Sequence, residues 1–547
     1  MQVNPSIFRE YDVRGIAGEK FSDKALKEYE KWYGKFPGIT ITPDVGEALG
    51  KAYGTVIKRK GGKKIIIGHE ERLYGSELKK QFTNGVLSTG IDVDDAGVSL
   101  TPFIYFSTSY YGYDGGVNVT GSHNVYFFNG FKMMAKNVYP VYAEEIQEMK
   151  NIIENDNYIK DKQGILSTKN VLDDYSKYLL EHNKFDKKFK VVLDCGNGSA
   201  GLFGPEILRK LGCEVIEMYS EVDTSFPHHV PDPEDVYAMK ELSERVVKEK
   251  ADIGIAFDAD GDRFGMVDEN GEFIYADRVL LLHAKDVLSR NPGKKILYDI
   301  KCTRYFESLI PKYGGIPYMH MTGHAPIKAT MRKDNDVILS GEISGHFYFA
   351  EEYFKIDDGL YSAARTLKLL AKIDKPASEI FKDIPKTSMT PEIKLPCADD
   401  KKVKIVEEIK NKFTDMLKSD FKIEKLSTKL QNWIDISWAE FTAELKKLKI
   451  ELSGVLKDDW FDRFNRLGDD ARRVDPLWLR SPWDMADAQR DDQQDHRHRA
   501  GGSVRRAPGR EALRLTYPAC RPSHDAGRHA LRVYFLEFRH VRRLRAY

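Results

Sequence analysis

With 547 residues the chain has room for three or four domains, and its net charge of +1 gives no overall field to attract nucleic acid or a membrane surface. Five scattered cysteines without a C-x-x-C pair, an N-terminus without a basic and apolar leader, and no apolar run of ~18 residues predict a cytoplasmic protein with reduced thiols. We therefore expect neither nucleic acid nor a membrane as a partner.

The first 160 residues alternate between strand and helix patterns. The opening Phe8–Gly15 alternates apolar and polar residues, as an edge strand does, and Gly62–Gly68 is a short apolar run bounded by glycines. Helical spacing of apolar residues precedes that run at Val45–Lys58 and follows it at Ser76–Thr89. This alternation predicts βαβ units with a mainly parallel sheet.

A serine stands in a loop after the next predicted strand. In Gly115–Asn124 the strand leads to Gly121, which would let the backbone turn, and then to Ser122, which we expect to be exposed beside His123. The hydroxyl could simply bond its own loop backbone, as serines in loops often do. Lys132 follows shortly after. A serine with a histidine and a lysine nearby suits a phosphoryl-carrying nucleophile, because the cations offset the charge of the transferred group.

A second α/β unit begins near residue 166. The helical pattern Val171–Glu181 leads to the strand Lys190–Asp194 and then to the glycine-rich segment Cys195–Gly201. That segment does not match the G-x-x-x-x-G-K-[ST] pattern of a phosphate-binding loop. We therefore interpret it as a strand-to-helix turn.

Three aspartates at alternate positions follow the last strand of this unit. The apolar run Ala251–Phe257 predicts a buried strand, and Asp258, Asp260 and Asp262 come directly after it. An acidic surface turn would fit, and so would the spacing of an EF-hand loop. The EF-hand fails because Arg263 stands where its loop needs glycine and a strand stands where it needs a helix. Alternate carboxylates can turn toward one point, so the loop predicts a site for a hard divalent ion such as Mg²⁺.

The third unit contains polar residues spaced two apart after a strand pattern. Glu342, Ser344 and His346 would project to one side of an extended chain. That side offers an acceptor, a donor and a titratable group, which suits sugar hydroxyls, but a polar strand edge would show the same pattern.

The composition changes near residue 428. The only tryptophan before it is Trp32, whereas five lie between Trp433 and Trp483, and beyond Lys457 arginine is the only basic residue besides histidine. Such a change predicts a C-terminal part of foreign character, from a fusion or an out-of-frame translation. We expect a helical segment over 428–467 and an arginine-rich, disordered tail over 468–547.

Four motifs occur in an order and spacing that resemble one enzyme family. They are Tyr11-Asp-Val-Arg-Gly15, Thr120-Gly-Ser-His-Asn124, Asp258-Ala-Asp-Gly-Asp-Arg263 and Gly341-Glu-Ile-Ser-Gly-His346. Together they resemble the α-D-phosphohexomutases, and among these the bacterial phosphomannomutase/phosphoglucomutase branch, over about residues 6–425.

This resemblance implies an α/β fold of three successive domains with mixed, mainly parallel sheets, followed by a truncated α+β fourth domain. We expect domain I over 1–160 with the serine loop, domain II over 161–262 with the aspartate loop at its end, domain III over 263–385 with a sugar-recognition loop, and the truncated domain IV over 386–427.

The resemblance also implies the chemistry. The protein would interconvert hexose 1-phosphates and hexose 6-phosphates of mannose or glucose, as a monomer or weak dimer, through a phosphoserine and a bisphosphate intermediate. It would use one Mg²⁺ and a hexose 1,6-bisphosphate activator. Ser122 would be the phosphoserine, and its oxygen would complete the metal site of Asp258, Asp260 and Asp262.

The remaining site residues fall into two implied groups. The catalytic group surrounds the reacting oxygens, with Lys132 or His324 moving the proton, and comprises Tyr11, Arg14, His123, Lys132, Arg263 and His324. The substrate-binding group comprises Lys301, Glu342, Ser344 and His346.

Two departures from the family pattern affect the expected function. Val125 replaces the proline that usually follows Ser-His-Asn, and the Arg-x-Ser-[Gly/Asn]-Thr-x-Pro loop that binds the non-reacting phosphate is missing, since Arg521-Pro-Ser lacks the threonine. We therefore expect impaired turnover. Two other functions stay open: a phosphatase with Asp258 as nucleophile, and a sugar-phosphate-binding protein without turnover.

Overall fold

Three β-sheets flanked by helices lie within residues 1–386. The computed structural model describes residues 1–18, 26–27, 29–30, 36–386, 394–396, 404–408 and 530–532. Most of the predicted fourth domain over 386–427 lies outside these residues, as do the predicted helical segment over 428–467 and nearly all of the tail over 468–547. In this C-terminal part the strands Lys394–Pro396 and Ala530–Arg532 pair antiparallel.

The first sheet is mixed. Its strands are β1 (Val13–Ile16), β2 (Lys64–His69), β3 (Asp92–Val98), β4 (Gly115–Val119), β5 (Phe128–Ala135), β6 (Tyr139–Pro140) and β7 (Leu166–Thr168). They lie in the order β1-β5-β4-β2-β3-β7, with β6 beside β5. Strand β2 is parallel to β3 and β4, whereas β5 is antiparallel to β1, β4 and β6. The helices of this unit are α1 (Pro43–Arg59), α2 (Gly75–Leu87), α3 (Thr101–Tyr110) and α4 (Glu144–Glu154).

Helix α1 shows how the sequence specifies these elements. Thr42 caps it by accepting a hydrogen bond from the Val45 N–H, and a proline occupies its first turn. Its apolar residues recur at helical spacing and are buried, among them Leu49, Ala52 and Val56. The helix predicted over 45–58 is confirmed. It begins two residues earlier because its cap and proline precede the apolar pattern, and it ends at Arg59.

The second sheet carries the aspartate loop. Its strands are β8 (Lys190–Asp194), β9 (Glu214–Met218), β10 (Ile253–Phe257), β11 (Phe264–Asp268) and β12 (Phe273–Ile274), in the order β12-β11-β10-β8-β9. Strand β8 is parallel to β9 and β10, whereas β11 is antiparallel to β10 and β12. Helices α5 (Leu172–His182), α6 (Gly204–Lys210) and α7 (Val236–Glu249) accompany it. The sheet thus continues past residue 262, where the sequence placed the end of the second domain.

The third sheet has the order β14-β13-β15-β16. Its strands are β13 (Lys295–Asp299), β14 (Ile316–His320), β15 (Val337–Gly341) and β16 (Phe347–Phe349). Strand β13 is parallel to β14 and β15, and β16 is antiparallel to β15. The helices here are α8 (Ala276–Arg290), α9 (Tyr305–Lys312), α10 (His324–Lys333), α11 (Gly359–Ile373) and α12 (Ala377–Ile380).

A continuous cluster of buried apolar side chains joins the three units. It includes Phe103 of α3, Tyr175 of α5, Phe257 of β10, Leu280 of α8 and Leu367 of α11. The prediction of three α/β domains with mixed sheets is confirmed. Across the described residues, the helices are too short or too polar for any of them to span a bilayer.

Candidate active site

Three loops from the three sheets meet at one place. Ser122 lies shortly after β4, the loop Asp258–Arg263 connects β10 to β11, and the turn Glu342–His346 follows β15. Lys132 lies inside β5, directly opposite Asn118 of β4. Each loop follows the carboxyl end of a strand, which is where ligand sites form in open α/β sheets.

Ser122 is buried, with 2% of its surface exposed. The expectation of an exposed serine was wrong, because residues of the second sheet cover the loop and no pattern near Ser122 could show that. Its Oγ lies 3.3 Å from Asp258 Oδ2 and 3.4 Å from both Lys132 Nζ and His123 Nδ1. The serine therefore faces the aspartate loop directly.

The backbone turns at the serine and not at the glycine before it. Ser122 has a φ of +50°, whereas Gly121 is not among the residues of positive φ. A positive φ is uncommon for residues other than glycine, and it persists where the surroundings hold it. Gly121 is needed for space, since a Cβ there would lie 2.5 Å from the Phe128 carbonyl oxygen and 2.6 Å from the Arg72 guanidinium.

The three aspartates fit a divalent cation. Carboxylate oxygens of Asp258, Asp260 and Asp262 lie within 4.8 Å of one another, and all three residues are fully buried. The Oδ1 atoms of Asp260 and Asp262 are buried and have no hydrogen-bond partner among the described residues. Carboxylates are the ligands that Mg²⁺ prefers, and a buried carboxylate oxygen needs a partner.

Lys132 supplies a fixed positive charge to this loop. Its Nζ lies 2.9 Å from Asp260 Oδ2 and 2.5 Å from Asp262 Oδ2. Burial would lower the pKa of Lys132, but the aspartates outweigh it and raise that pKa above its usual range. Burial also opposes ionisation of Asp260, yet Lys132 lowers its pKa. Burial, and then repulsion from the other two aspartates, raises the pKa of Asp258 well above its usual range.

A second group of buried charges surrounds the ring of His346. Arg263 Nε donates to His346 Nε2 at 3.1 Å, and Arg263 Nη1 lies 3.2 Å from Asp232 Oδ1. On the other side of the ring, His346 Nδ1 lies 3.3 Å from Asp357 Oδ2 and 3.7 Å from Asp262 Oδ1. The imidazole thus lies between an arginine and two carboxylates.

These contacts argue against a second metal site, although Asp262, His346 and Asp357 are close enough to form one. An arginine can only donate, so the bond from Arg263 makes Nε2 the acceptor and leaves the proton on Nδ1. A protonated nitrogen cannot bind a metal, and its proton faces the two carboxylates. Lys328 Nζ adds a positive charge 2.7 Å from Asp357 Oδ1.

The segment Glu342–His346 is a tight turn, so the expectation of an extended chain was wrong. The Glu342 N–H donates to the His346 carbonyl at 3.0 Å, and the Gly345 N–H donates to the Glu342 carbonyl at 3.1 Å. Gly345 has a φ of +95°, which glycine adopts readily. The turn interrupts the alternation on which a shared polar face depends.

The three polar residues of this turn have different surroundings. The Glu342 carboxylate accepts hydrogen bonds from the Gly323 N–H at 2.7 Å and from the Tyr348 hydroxyl at 3.0 Å. Ser344 is buried in the turn, and His346 belongs to the charged group around Arg263.

Residues from the N-terminal segment and from α10 border the same site. The Tyr11 hydroxyl donates to the Thr322 carbonyl at 3.2 Å, and its ring meets that of His324 edge-on at 6.4 Å. Arg14 Nη1 donates to the Gly121 carbonyl at 2.8 Å, directly before the serine. Burial, followed by nearby lysines, lowers the pKa of His324 well below its usual range, so its imidazole is neutral at pH 7.

Lys301 enters from the third unit. It lies after β13, and its Nζ is 3.3 Å from Glu234 Oε1, a residue of the second unit. This ion pair links Lys301 to the second unit, whereas the contacts of Ser122 described above come from other residues.

Sequence reasoning missed several residues that contact the site. They are Glu70, Arg72, Thr101, Asp232, Lys328 and Asp357. A positional signal was available for Arg72, because it follows β2, the parallel neighbour of the strand that leads to Ser122. No comparable signal marks Asp232 or Lys328, whose partners are distant in sequence.

Family models match most of the chain in succession. The model for alpha/beta/alpha domain I of phosphoglucomutase/phosphomannomutase matches residues 5–160, that for domain II matches 173–271, and that for domain III matches 275–388. A different model, for a domain of unknown function (DUF8810), matches residues 401–475.

Relatives with assigned names are similar over the same region. A phosphomannomutase/phosphoglucomutase of Pseudomonas aeruginosa is 40% identical over 402 residues, which are 74% of this chain and 82% of that protein. A phosphoglucomutase of Neisseria meningitidis serogroup A is 38% identical over 71% of this chain and 80% of its own length.

A solved structure shows the same similarity. The crystal structure of a phosphoglucomutase/phosphomannomutase family protein from Burkholderia thailandensis has a TM-score of 0.67 and 34% sequence identity, and the match covers 75% of this chain and 85% of that one.

Proposed function

Since this chain belongs to the phosphoglucomutase/phosphomannomutase family, we propose that it interconverts hexose 1-phosphates and hexose 6-phosphates of mannose, glucose or both. The observation that carries the proposal is the contact between Ser122 and the aspartate loop. Ser122 Oγ lies 3.3 Å from Asp258 Oδ2 and 3.4 Å from Lys132 Nζ. A hydroxyl that faces both a cation site and a fixed ammonium suits phosphoryl transfer.

In the proposed reaction a phosphoryl group on Ser122 passes to the free hydroxyl of the hexose phosphate. The hydroxyl oxygen forms the new P–O bond, the bond to Ser122 Oγ breaks, and the hydroxyl proton leaves to a base. The resulting bisphosphate turns over in the site and returns its other phosphoryl group to Ser122. A hexose 1,6-bisphosphate would prime the unphosphorylated protein in the same way.

Asp258, Asp260 and Asp262 would hold one Mg²⁺, with an oxygen of the phosphoserine completing the site. The ion would offset negative charge on the transferred group, a contribution of several kcal/mol in comparable enzymes. Lys132 keeps its proton, as its raised pKa requires, and adds positive charge at the same place. It is therefore a poor proton acceptor, which leaves an imidazole for that role.

The geometry favours His324 over His346 as the imidazole that accepts the proton. Asp357 lies 3.3 Å from His346 Nδ1, and a carboxylate at this nitrogen fixes the tautomer in which Nε2 is the acceptor. Arg263 Nε already donates to that Nε2 at 3.1 Å, so neither ring nitrogen of His346 has a free lone pair. The Nδ1 of His324, in contrast, is buried and has no hydrogen-bond partner among the described residues. Replacing His324 with asparagine should therefore lower kcat more than the same change at His346.

A labelling experiment tests the proposal. After incubation with glucose 1,6-bisphosphate and Mg²⁺, intact-mass and peptide spectra should show one phosphoryl group on Ser122, and none in Ser122→Ala. Label on Asp258 with phosphate release to water would support a phosphatase instead. Hexose phosphate binding by calorimetry, without label or turnover, would support a sugar-phosphate-binding protein.

Reduced turnover is part of the proposal. The Arg-x-Ser-[Gly/Asn]-Thr-x-Pro motif does not occur in the sequence after residue 386. Members of this family must hold the substrate by its non-reacting phosphate in both orientations. We further propose that the protein acts on hexose phosphates in the cytoplasm as a monomer or weak dimer, without nucleic acid or a membrane.

A further inference from the structure

Arg72 lies buried beneath the loop that carries Ser122. Its Nη1 donates to the carbonyl oxygens of Asn124, Val125 and Phe128 at 2.9, 3.1 and 3.2 Å. Its Nη2 donates to the carbonyl oxygen of Ser122 itself. A guanidinium presents its donors in a rigid plane, so four carbonyls of one loop must point toward that plane.

Glu70 ties the other side of the serine to the same guanidinium. One oxygen, Glu70 Oε1, accepts from Arg72 Nε at 2.5 Å and from the Gly121 N–H at 2.7 Å. The backbone on both sides of Ser122 is therefore fixed by one buried ion pair, at the residue where φ is +50°. Such a conformation persists where its surroundings over-determine it.

The same segment also contacts the second unit, which carries the aspartate loop. The Arg72 guanidinium lies 4.9 Å from the centre of the Phe226 ring, and the Glu71 N–H donates to Ser199 Oγ at 2.7 Å. Arg72 thus contacts the serine loop on one side and a loop of the aspartate-bearing unit on the other.

We propose that Arg72 is a positioning residue that holds Ser122 in its left-handed conformation, with Oγ facing the aspartate loop. The inference rests on the proposed role of Ser122 as the phosphoryl carrier. Phosphoryl transfer depends on alignment, and a displacement of about 1 Å can lower a rate by about 100-fold. Arg72 acts through the backbone and does not touch the substrate.

A conservative variant and a matched control test this role. Arg72→Lys keeps the charge but cannot donate in a plane to four carbonyls. Arg278 is the control, because it is also buried and donates to two carbonyls, Phe381 at 2.7 Å and Ile384 at 3.0 Å, away from the serine. Both variants are full-length chains incubated with glucose 1,6-bisphosphate and Mg²⁺.

Arg72→Lys should slow phosphorylation of Ser122 by about 100-fold at saturation and change the half-saturating bisphosphate concentration by less than about threefold. Arg278→Lys should change neither quantity by more than about threefold, even if it lowers the melting temperature equally. Equal effects of the two variants on the rate would overturn the proposal. If Arg72→Lys does not fold, Glu70→Gln, which keeps the shape of the pair, should still slow phosphorylation about tenfold.

Hydrogen exchange separates this inference from the proposed function. Arg72→Lys should speed amide exchange in peptides covering residues 120–128 at least tenfold, and Arg278→Lys should leave it unchanged. Unchanged exchange in Arg72→Lys would overturn the positioning role. Faster exchange, together with an unlabelled Ser122 in the unaltered protein, would support the positioning role and overturn the phosphoserine instead.

Discussion

Single residues set the charge of the candidate site. Lys132 reaches from β5 of the first sheet to two aspartates of the second, and all of these side chains are buried. A buried ion pair is weak as a source of stability, but removing one partner leaves an uncompensated charge. The contribution of Lys132 should therefore become visible when it is removed.

Lys132→Met should lower the free energy of unfolding by about 3–5 kcal/mol in the presence of a chelator. Excess Mg²⁺ should recover part of this loss, because the ion replaces the missing positive charge. Lys79→Met is the control, since it breaks the Lys79–Asp95 pair at 2.7 Å outside the site, and Mg²⁺ should not recover its loss. Urea denaturation measures both variants, and equal recovery in the two would contradict the assignment of the metal site.

His229 gives the fold a pH dependence that is independent of the metal loop. Its Nε2 lies 3.1 Å from Asp194 Oδ2, and although burial opposes the charge, this carboxylate raises the pKa of His229 to about 9 from 6.5. Because the pKa is higher in the folded protein, the stabilisation is complete below pH 6.5 and is lost as the pH rises through about 9. A shift of this size corresponds to ~3 kcal/mol.

His229→Gln should remove this contribution. Denaturant titrations below pH 6.5 and above about pH 9 measure this contribution. Between these two pH ranges, the free energy of unfolding should fall by about 3 kcal/mol more in the unaltered protein than in the variant. The same loss in both proteins would show that other groups cause the pH dependence.

At the scale of elements, the turn between β15 and β16 shows how close packing restricts a loop position to glycine. A Cβ on Gly345 would lie 2.7 Å from the Phe264 carbonyl oxygen, next to Arg263. The turn therefore fits against β11 only without a side chain at this position.

Gly345→Ala should displace the turn and weaken binding of glucose 1-phosphate at least about tenfold, with a loss of ~1–2 kcal/mol in stability from the positive φ. Gly293→Ala is the matched control, because Gly293 has a φ of +81° and nothing within 4 Å of the added Cβ. Gly293→Ala should lower the free energy of unfolding by a similar amount, and calorimetry should show an unchanged affinity for glucose 1-phosphate. Weaker binding in both variants would mean that the effect is general.

The local sequence pattern predicted the helices and strands better than it predicted the contacts between them. The strand Lys190–Asp194 and the helix over 45–58 have a clear hydrophobic period, and their predicted bounds agree with the structure to within two residues. The turn after β15 was missed because alternate polar residues occur in turns as well as in strands. The burial of Ser122 depends on residues more than a hundred positions away, which no local pattern contains.

At the scale of the whole molecule, every candidate site residue lies between Tyr11 and Asp357. Among the residues that the structure describes, the shared core extends as far as Ile384. Phosphoryl transfer at Ser122 should therefore be intact, whereas the binding site for the non-reacting phosphate should be missing. Charge-assisted hydrogen bonds to a phosphate contribute roughly 1.5–3 kcal/mol each.

Replacing the residues after 427 with a complete fourth domain from a family member should raise kcat/KM for glucose 1-phosphate by more than about a thousandfold, since two or three such bonds would be gained. The rate of Ser122 phosphorylation by a small phosphodonor should stay within about threefold, which makes it the internal control. Equal kcat/KM values would show that the present C-terminal part already supplies the phosphate grip.

If the proposed function holds, the arrangement of three aspartates around Lys132 would couple metal affinity to the phosphorylation state of Ser122. When all four groups are ionised, the carboxylates exceed the ammonium by two negative charges, which one divalent ion cancels. A phosphoryl dianion on Ser122 then restores the excess, so each of the two species favours the other. By thermodynamic reciprocity, Mg²⁺ would stabilise the phosphoserine by the same factor by which the phosphoserine would tighten Mg²⁺ binding. A protein that lost its phosphoryl group to water would therefore also hold its metal less tightly, and its rephosphorylation would depend on the concentrations of Mg²⁺ and of the bisphosphate together.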